Sequence, residues 1–320
     1  MQTWSSRGDA WHEGEVENAG FSWFDITGPD DRGLDQLADR FGLHHLAVED
    51  CRSELPHAPK IDDFGDYLFI VLHAVVEAPD GRETEEIDVF LGKDFLITYQ
   101  DRPIGLTGPN GDQPAAAAAL MTALRNAIGV RPGPDGVLYE LVDRFVDAIL
   151  PRVNALAEQL DAIQDDILIS GSASQQHREI LALRSRAGRI RRVLTPQLGV
   201  IQRLSRGEFK EIAEPNRVYF RDIYDHLVRT DLALEGLRED AEVALSSYLS
   251  AINNRLSEVM KVLAVVGALM LPGTLVTGVF GTNFDNVPGL HSNWGFAIMV
   301  AGMAAIAVGM GTYFKRKGWF

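Results

Sequence analysis

Two long stretches without a charged residue stand near the end of this 320-residue chain, and they limit its fold more than any other feature. They run from Val262 to Phe280 and from Trp294 to Phe314, about 19 and about 21 residues, and a helix needs roughly 20 apolar residues to cross a bilayer. Core helices of a soluble protein can be as apolar, but two successive runs with basic flanks are typical of a membrane hairpin. The sequence therefore predicts two transmembrane helices joined by a short loop.

Basic residues flank this hairpin on one side. Lys261 precedes the first run and the Lys-Arg-Lys segment 315–317 follows the second, whereas the link 281–293 carries Asp285 and His291 as its ionisable residues. Because basic flanks stay in the cytoplasm, we expect the loop outside, both termini inside and the protein in the cytoplasmic membrane. The polar, acidic N-terminal segment predicts no signal peptide, so insertion is expected to depend on the hairpin.

A long proline-free segment precedes the first run. A helix that continues from Val218 to Phe280 would be about 95 Å long at 1.5 Å per residue, so we expect it to project as a stalk. Apolar residues recur along it at alternating four and three positions: Leu245, Leu249, Ile252, Leu256, Val259 and Leu263. Such a seam packs lengthwise on other helices. Another copy of the chain and the helices before Pro215 are both possible partners.

A second stripe crosses into the first span. Its members, again three or four positions apart, are Met260, Leu263, Gly267, Leu271, Thr274 and Gly278. They share one helical face. If several copies met around an axis along this face, apolar rings at the cytoplasmic end could close a pore by dewetting, and threonine and glycine would line its outer end. The alternative is that the small residues only allow close helix packing.

The first 215 residues have the pattern of a soluble domain with mixed elements. Strands are predicted near 21–26, 67–76, 87–91 and 95–99, and helices at 34–41, from 114 onward, at 138–169 and at 175–204. The last two are expected to form an antiparallel pair around the turn 171–174. Acidic residues of the first should then neutralise arginines of the second.

Composition and motifs argue against several other classes. A net charge of −15 does not suit a nucleic-acid partner, and the arginine-rich segment 175–204 is expected to be neutralised by its neighbour. The single cysteine, Cys51, leaves no internal disulfide. The sequence contains no phosphate-binding loop, nucleophile elbow or His-Glu-x-x-His motif, so we predict that the chain is not an enzyme.

The loop after the first run carries the most specific motif. It reads Gly281-Thr282-Asn283 and continues to Val287-Pro288-Gly289-Leu290. This resembles the CorA family of magnesium and related divalent-cation channels, in which Gly-Met-Asn ends the first transmembrane helix and Met-Pro-Glu-Leu follows. Further segments that resemble the family are YFRDIYDH at 219–226, EVMKVL at 258–263, PKI at 59–61 and YLFIVL at 67–72.

The resemblance implies a funnel-shaped homopentamer in the membrane lipid. Each copy would have an α+β cytoplasmic domain, built as an α/β/α sheet sandwich, followed by a long stalk helix and a two-helix transmembrane hairpin. The expected parts are a cytoplasmic domain 1–215, a stalk 216–261, a pore-lining helix 262–281, an external loop 282–293, a second transmembrane helix 294–314 and a basic tail 315–320.

The resemblance also implies the residues of the ion pathway. Mg²⁺ releases its water reluctantly, so five copies of Asn283 would hold the hydrated ion through its waters, assisted by the Gly281 carbonyl. Met260 and Leu263 would form the cytoplasmic gate and Leu271 an upper apolar ring. Thr274 and Gly278 would line the outer pore. Together with Gly267, these are the residues that the helical period places on one face.

Two residues depart from the family pattern and leave the ion open. Thr282 replaces the central Met of Gly-Met-Asn, and Gly289 replaces the Glu of Met-Pro-Glu-Leu, so Asp285 is the carboxylate that remains in the loop. A sister branch that carries zinc has Gly-Ile-Asn. We therefore expect transport of Mg²⁺, with Co²⁺ and Ni²⁺ as further candidates. The alternatives are a carrier of Zn²⁺ or of transition metals in general, and a membrane-bound metal sensor that does not conduct.

Regulation by the transported metal is a further implication of the resemblance. The family closes when Mg²⁺ binds between neighbouring cytoplasmic domains, and Asp222 occupies the position of one ligand in the stalk motif. Its partner comes from an acidic turn between two strands. Glu77 and Asp80 are the candidates in this chain, together with Glu83, Glu85 and Glu86.

Overall fold

The chain divides into two compact units. The computed structural model describes residues 11–15, 20–28, 31–53, 55–76, 83–100, 131, 133–170, 174–282, 287–289 and 292–319. One unit comprises 1–165 with 174–245, and the other comprises 166–173 with 246–320. The helices predicted from 114 to 130 and the turn 171–173 lie outside the described residues.

A six-stranded sheet forms the centre of the first unit. Its strands are β1 (Trp11–Glu15), β2 (Ser22–Thr27), β3 (Lys60–Asp63), β4 (Tyr67–Val75), β5 (Thr84–Gly92) and β6 (Phe95–Gln100). Their order is β1-β2-β6-β5-β4-β3, with β2 and β6 parallel and all other neighbours antiparallel. Every residue of β4 is buried, which explains why its sequence is apolar throughout, apart from His73, rather than alternating.

Helices cover both faces of this sheet. On one face, α1 (Asp31–Phe41) and α2 (His45–Cys51) contribute Leu34 and Val48 to a core that also contains Phe69 and Phe90. On the other, α3 (Pro134–Asp147) and α5 (Ser174–Ser205) contact the central strands. The remaining helices are α4 (Ile149–Ser170), a 3₁₀ turn (Glu214–Asn216), α6 (Arg217–Phe280) and α7 (Gly295–Arg316).

One long helix predicted at 138–169 is in fact two, because α3 ends at Asp147 and α4 begins at Ile149. Pro151 explains the break. A proline within a helix clashes with the carbonyl four residues earlier, here that of Asp147, but it is tolerated in the first turn of a new helix. The short elements α2 and β1 and the 3₁₀ turn were not predicted, and β3 was expected only from the family resemblance at 59–61.

The arginines of α5 have partners that the sequence did not predict. Arg189 and Arg186 hold the Glu83 carboxylate at the start of β5, with N–O distances of 2.8 and 3.0 Å. Arg191 binds Asp231 on α6 at 3.0 Å. These ion pairs connect α5 to the sheet and to α6, whereas the sequence suggested the acidic α4 as their partner.

Ionisable side chains are buried between the sheet and α2. Asp88 on β5 is 4% exposed and His73 on β4 is 5% exposed. Burial and the nearby Glu86 carboxylate raise the pKa of Asp88 well above its usual value, although the Cys51 thiol donates a hydrogen bond to it. Burial also raises the pKa of Cys51 and lowers that of His73. These shifts favour the uncharged form of all three groups.

Replacing Asp88 with asparagine is expected to stabilise the protein at neutral pH. Above pH 3.8 an unfolded Asp88 loses its proton while the folded one keeps it, so wild type loses stability as the pH rises towards the folded pKa. Each unit of difference between the folded and the unfolded pKa corresponds to about 1.4 kcal/mol in the free energy of unfolding. Thermal unfolding in detergent from pH 4 to pH 8 should show that Asp88→Asn has a higher melting temperature than wild type, by a margin that grows with pH. The exposed Asp66→Asn is the control, and a gain that does not depend on pH would contradict the assignment.

The second unit contains two helices long and apolar enough to cross a membrane, the C-terminal part of α6 and the whole of α7. Pro272 lies inside α6 without ending it. At one end of the pair, the Lys261 ammonium donates to the Gly318 carbonyl at 2.9 Å, and Trp319 stacks on Phe314 with ring centroids 5.3 Å apart. Further along, a methyl group on Gly273 would lie 3.2 Å from Met303 Cε, so the two helices pack closely there.

Candidate ion pathway and regulatory cluster

The predicted pore residues share a face of α6 that no other described part of the chain covers. Met260, Leu263 and Leu271 are 57%, 63% and 69% exposed. Thr274 and Gly278 are also exposed, and Gly267 is half-buried. Three large apolar side chains in an open row require a partner surface, which another copy of the chain or lipid could supply.

The neighbouring helix α7 lies against the opposite side of α6. Its contacts involve Lys261 and Gly273, and the buried Val265 lies between these two in helical projection. At about 100° per residue, the stripe that contains Leu263 and Leu271 is roughly 180° away. The hairpin therefore leaves the predicted pore face free for an axis between copies.

Hydroxyl groups near the C-terminal end of α6 are held by the helix itself. Thr274 Oγ1 donates to the Met270 carbonyl at 2.9 Å, and Thr282 Oγ1 donates to the Val279 carbonyl at 2.7 Å. A hydroxyl that donates in this way keeps lone pairs that can accept a hydrogen bond from the water of a hydrated cation. Asn283 and Asp285 lie outside the described residues.

Acidic side chains of α3 lie near Asp222 at the start of α6. His226, one turn further along, lies 4.0 Å from Asp222 and 3.6 Å from Asp147 of α3. Asp143 lies on the same helix as Asp147, and burial, followed by the charge of Asp147, raises the pKa of its carboxyl. The structure thus brings two carboxylates of α3 to the stalk motif that the sequence identified.

Contacts at the helix ends fix this arrangement. Asp135 at the start of α3 accepts hydrogen bonds from the Ala213 amide and from Asn216 Nδ2, both at 2.8 Å. The guanidinium of Arg131 stacks between Tyr139 of α3 and Tyr219 of α6, at 4.5 and 4.1 Å from the ring centroids. Because α3 and α6 are joined at these points, the acidic residues are held in place before any ion binds.

Comparison with known proteins decides the family. A family model described as CorA-like Mg2+ transporter protein matches residues 18–316. The chain belongs to the CorA family. YfjQ of Bacillus subtilis is 31% identical over 96% of this chain and 92% of its own length. The cobalt/magnesium transport protein CorA of Thermotoga maritima is 28% identical over 93% of this chain and 83% of its own length.

The solved structures confirm the predicted architecture. The CorA magnesium transporter of Methanocaldococcus jannaschii matches with a TM-score of 0.80 at 20% identity, covering 96% of this chain and 93% of that one. The α/β domain, the long helix and the two apolar C-terminal helices are therefore those of the CorA fold. Membership of this family places the chain among the membrane proteins of the divalent-cation transporter class.

The CorA stalk motif alone does not complete a metal site in the described part of the chain. There, no three His, Cys, Asp or Glu side chains lie close enough together to hold a metal ion. Glu77 and Asp80 lie outside the described residues. Glu83 is held by Arg186 and Arg189, and Glu86 accepts a hydrogen bond from the His57 amide at 2.6 Å, so these two carboxylates are already engaged.

Sequence reasoning missed three members of this cluster: Asp143, Asp147 and His226. A signal was present, because Glu140, Asp143 and Asp147 recur at three and four positions and so share one face of α3. His226 stands four residues after Asp222, a spacing that places both on one side of α6. What the sequence did not show was that these two faces meet.

Proposed function

We propose that the protein is a homopentameric channel that carries Mg²⁺ across the cytoplasmic membrane, with Co²⁺ and Ni²⁺ as further cargo. The observation that supports this most is the exposed stripe of α6 from Met260 to Gly278, on the side away from α7. Five such stripes around an axis would enclose apolar rings at one end and hydroxyl groups at the other. An apolar ring excludes water until it widens, which allows the pore to close.

Self-association also accounts for the seam before the membrane. Leu249, Leu256 and Val259 are exposed, and exposed apolar side chains at heptad spacing are typical of helices that pack against copies of themselves. In this arrangement residues 1–215 form the cytoplasmic domain and the part of α6 up to Lys261 forms the stalk. Exposed residues of α7, such as Phe296 and Ile298, would face lipid, and both termini would lie in the cytoplasm.

Selectivity for a hydrated ion would come from the outer end of α6. Five Asn283 carboxamides can accept hydrogen bonds from the waters of Mg²⁺, with Gly281 and Thr282 leading the chain to that position. Thr282 and Gly289 favour a second candidate, a carrier of Zn²⁺ or of several transition metals, because both differ from the family pattern at the loop. A sensor that binds metal without conducting it is the third.

Flux into liposomes distinguishes these three candidates. Purified protein would be reconstituted, and the entry of Mg²⁺, Co²⁺, Ni²⁺ and Zn²⁺ compared at one concentration and one membrane potential. If the proposal is right, Mg²⁺ enters the liposomes and the other ions inhibit its entry by competition. Entry of Zn²⁺ without Mg²⁺ would establish the second candidate. Metal binding without entry of any ion would establish the third, and chemical crosslinking would report the number of copies.

We further propose that Mg²⁺ bound at Asp222, together with Asp143 and the acidic turn that carries Glu77 and Asp80, closes the channel. Burial, followed by the charges of Asp147 and Glu140, raises the pKa of Asp143, and a divalent cation would neutralise these charges. Five copies arranged in a ring would bring each acidic turn towards a neighbour. Binding between copies would hold them together, and loss of the ion would release them.

Replacing Asp222 with asparagine is expected to weaken this regulation. Asparagine keeps the shape of the side chain and removes its charge, so the Mg²⁺ concentration that protects the cytoplasmic domain from trypsin should rise at least about three-fold, a loss of roughly 0.7 kcal/mol per site. The matched control is Glu239→Gln, an exposed acid further along the same helix. If the same Mg²⁺ concentration protected both variants from trypsin, Asp222 would not be part of the regulatory site.

A further inference from the structure

Two glycines bring the end of the external loop into backbone contact with the start of α7. Gly289 has a φ of +86°, a conformation that L-residues rarely adopt. A β-carbon on Gly295, the first residue of α7, would lie 2.2 Å from the Gly289 carbonyl oxygen and 3.2 Å from its carbon. No side chain fits at position 295 unless this backbone moves.

Backbone hydrogen bonds fix the same turn. The Ser292 amide donates to the Gly289 carbonyl at 3.2 Å, and the Gly295 amide donates to the Ser292 carbonyl at 3.0 Å. The Gly289 carbonyl is therefore held by a donor while it lies against Gly295. We call this arrangement the glycine contact. It sets the place where the loop returns to the membrane helix.

The glycine contact also lies beside the start of the loop. Gly281, at the end of α6, lines a cavity of about 380 Å³ together with Gly289, Gly295, Phe280 and Phe296. The Gly281 amide is itself tied to the Thr277 carbonyl at 2.8 Å. Both ends of the loop thus border one cavity, and a displacement at Gly289 changes the span that the residues between them must cover.

We propose that the glycine contact is a specificity-determining feature of the channel, because it fixes the span of the loop and so the spacing of the groups that select the ion. Gly289 and Gly295 act as positioning residues and do not touch the ion themselves. The inference rests on the proposed function, in which the residues after Gly281 form the selective ring. It gives a conformational reason for glycine at position 289, where any other residue would be strained.

Matched alanine variants on α7 test the proposal. In Gly295→Ala the new methyl group must push the Gly289 carbonyl away, whereas Gly302→Ala adds a methyl to the same helix at a site with no neighbour within 4 Å. Initial rates of Mg²⁺, Co²⁺ and Zn²⁺ entry into liposomes give the ratio of ions carried. We expect Gly295→Ala to change the Mg²⁺ to Co²⁺ ratio at least about three-fold and Gly302→Ala to leave it unchanged.

A second pair tests the conformation of Gly289. Asparagine tolerates a positive φ better than other side chains, so Gly289→Asn should keep a ratio closer to wild type than Gly289→Ala. Altered total flux with an unchanged ratio would be a general structural effect and would overturn the proposal. If Gly295→Ala did not assemble, the Gly289 pair would decide, and equal ratios in those two variants would overturn it.

The outcomes separate this inference from the function on which it rests. If wild-type protein carries no ion in the same liposomes, the proposed channel is wrong. If wild type conducts and Gly295→Ala assembles with an unchanged ratio, the channel stands and the role of the glycine contact is rejected.

Discussion

Replacing Asn283 with alanine is expected to reduce Mg²⁺ entry into liposomes by at least about ten-fold, or roughly 1.4 kcal/mol in the barrier to permeation. The carboxamide oxygen is the group that can accept hydrogen bonds from the waters of the ion, and alanine has no acceptor in its side chain. In the proposed ring of five copies, all five acceptors would be lost together. The exchange should therefore have a larger effect than any other single change in the loop.

Asn293→Ala is the matched control for this experiment. It removes the same side chain from the same connection, at an exposed position one residue before Trp294. Entry of Mg²⁺ should remain close to wild type in this variant. If Asn283→Ala transported as well as the control, the carboxamide ring would not be the selective element, even though the chain belongs to the CorA family.

Leu271→Ser is expected to have the second largest effect, in the opposite direction. An apolar ring stays closed because water is unstable between apolar walls, and a hydroxyl group at that height would let water enter. Flux should then persist at Mg²⁺ concentrations that close the wild-type channel, with at least about five-fold more residual entry. Liposomes loaded with high Mg²⁺ on the cytoplasmic side, with an isotope of the ion outside, would measure it.

Val262→Ser controls for the polarity of the substitution. Val262 is exposed on the same helix but lies about 180° around from Leu271 and at least about 100° from every member of the stripe. A serine there should not increase the residual Mg²⁺ entry through the closed channel. Equal leaks in the two variants would mean that the stripe does not line the pore.

Much of this structure could be predicted from the sequence because α6 has a clear periodicity. A helix repeats about every 3.6 residues, so a face that carries Leu263, Leu271 and Thr274 can be recognised from the order of the residues alone. Strands β2, β4, β5 and β6 were also predicted, because they are short apolar runs between turns, whereas β1 was not predicted. These features depend only on the order of the residues within one segment, and that order is given by the sequence.

Contacts between distant segments could not be predicted in the same way. The acidic faces of α3 and α6 meet because Asp135 and Arg131 join the two helices, and neither contact has a pattern in the sequence. Arg186, Arg189 and Arg191 of α5 were given the wrong partner for a similar reason. Opposite charge on a neighbouring helix is compatible with pairing, but Glu83 reaches Arg186 and Arg189 only because the fold places the start of β5 beside α5.

The burial of Cys51 has a practical consequence for experiments on the pore. A thiol reacts as its thiolate, and this thiol is both enclosed and shifted towards its protonated form, so it should react slowly with alkylating reagents at neutral pH. The natural chain is thus already a background without a reactive thiol. A variant such as Thr274→Cys could be labelled selectively, and the rate of its modification would report when water reaches that height of the helix.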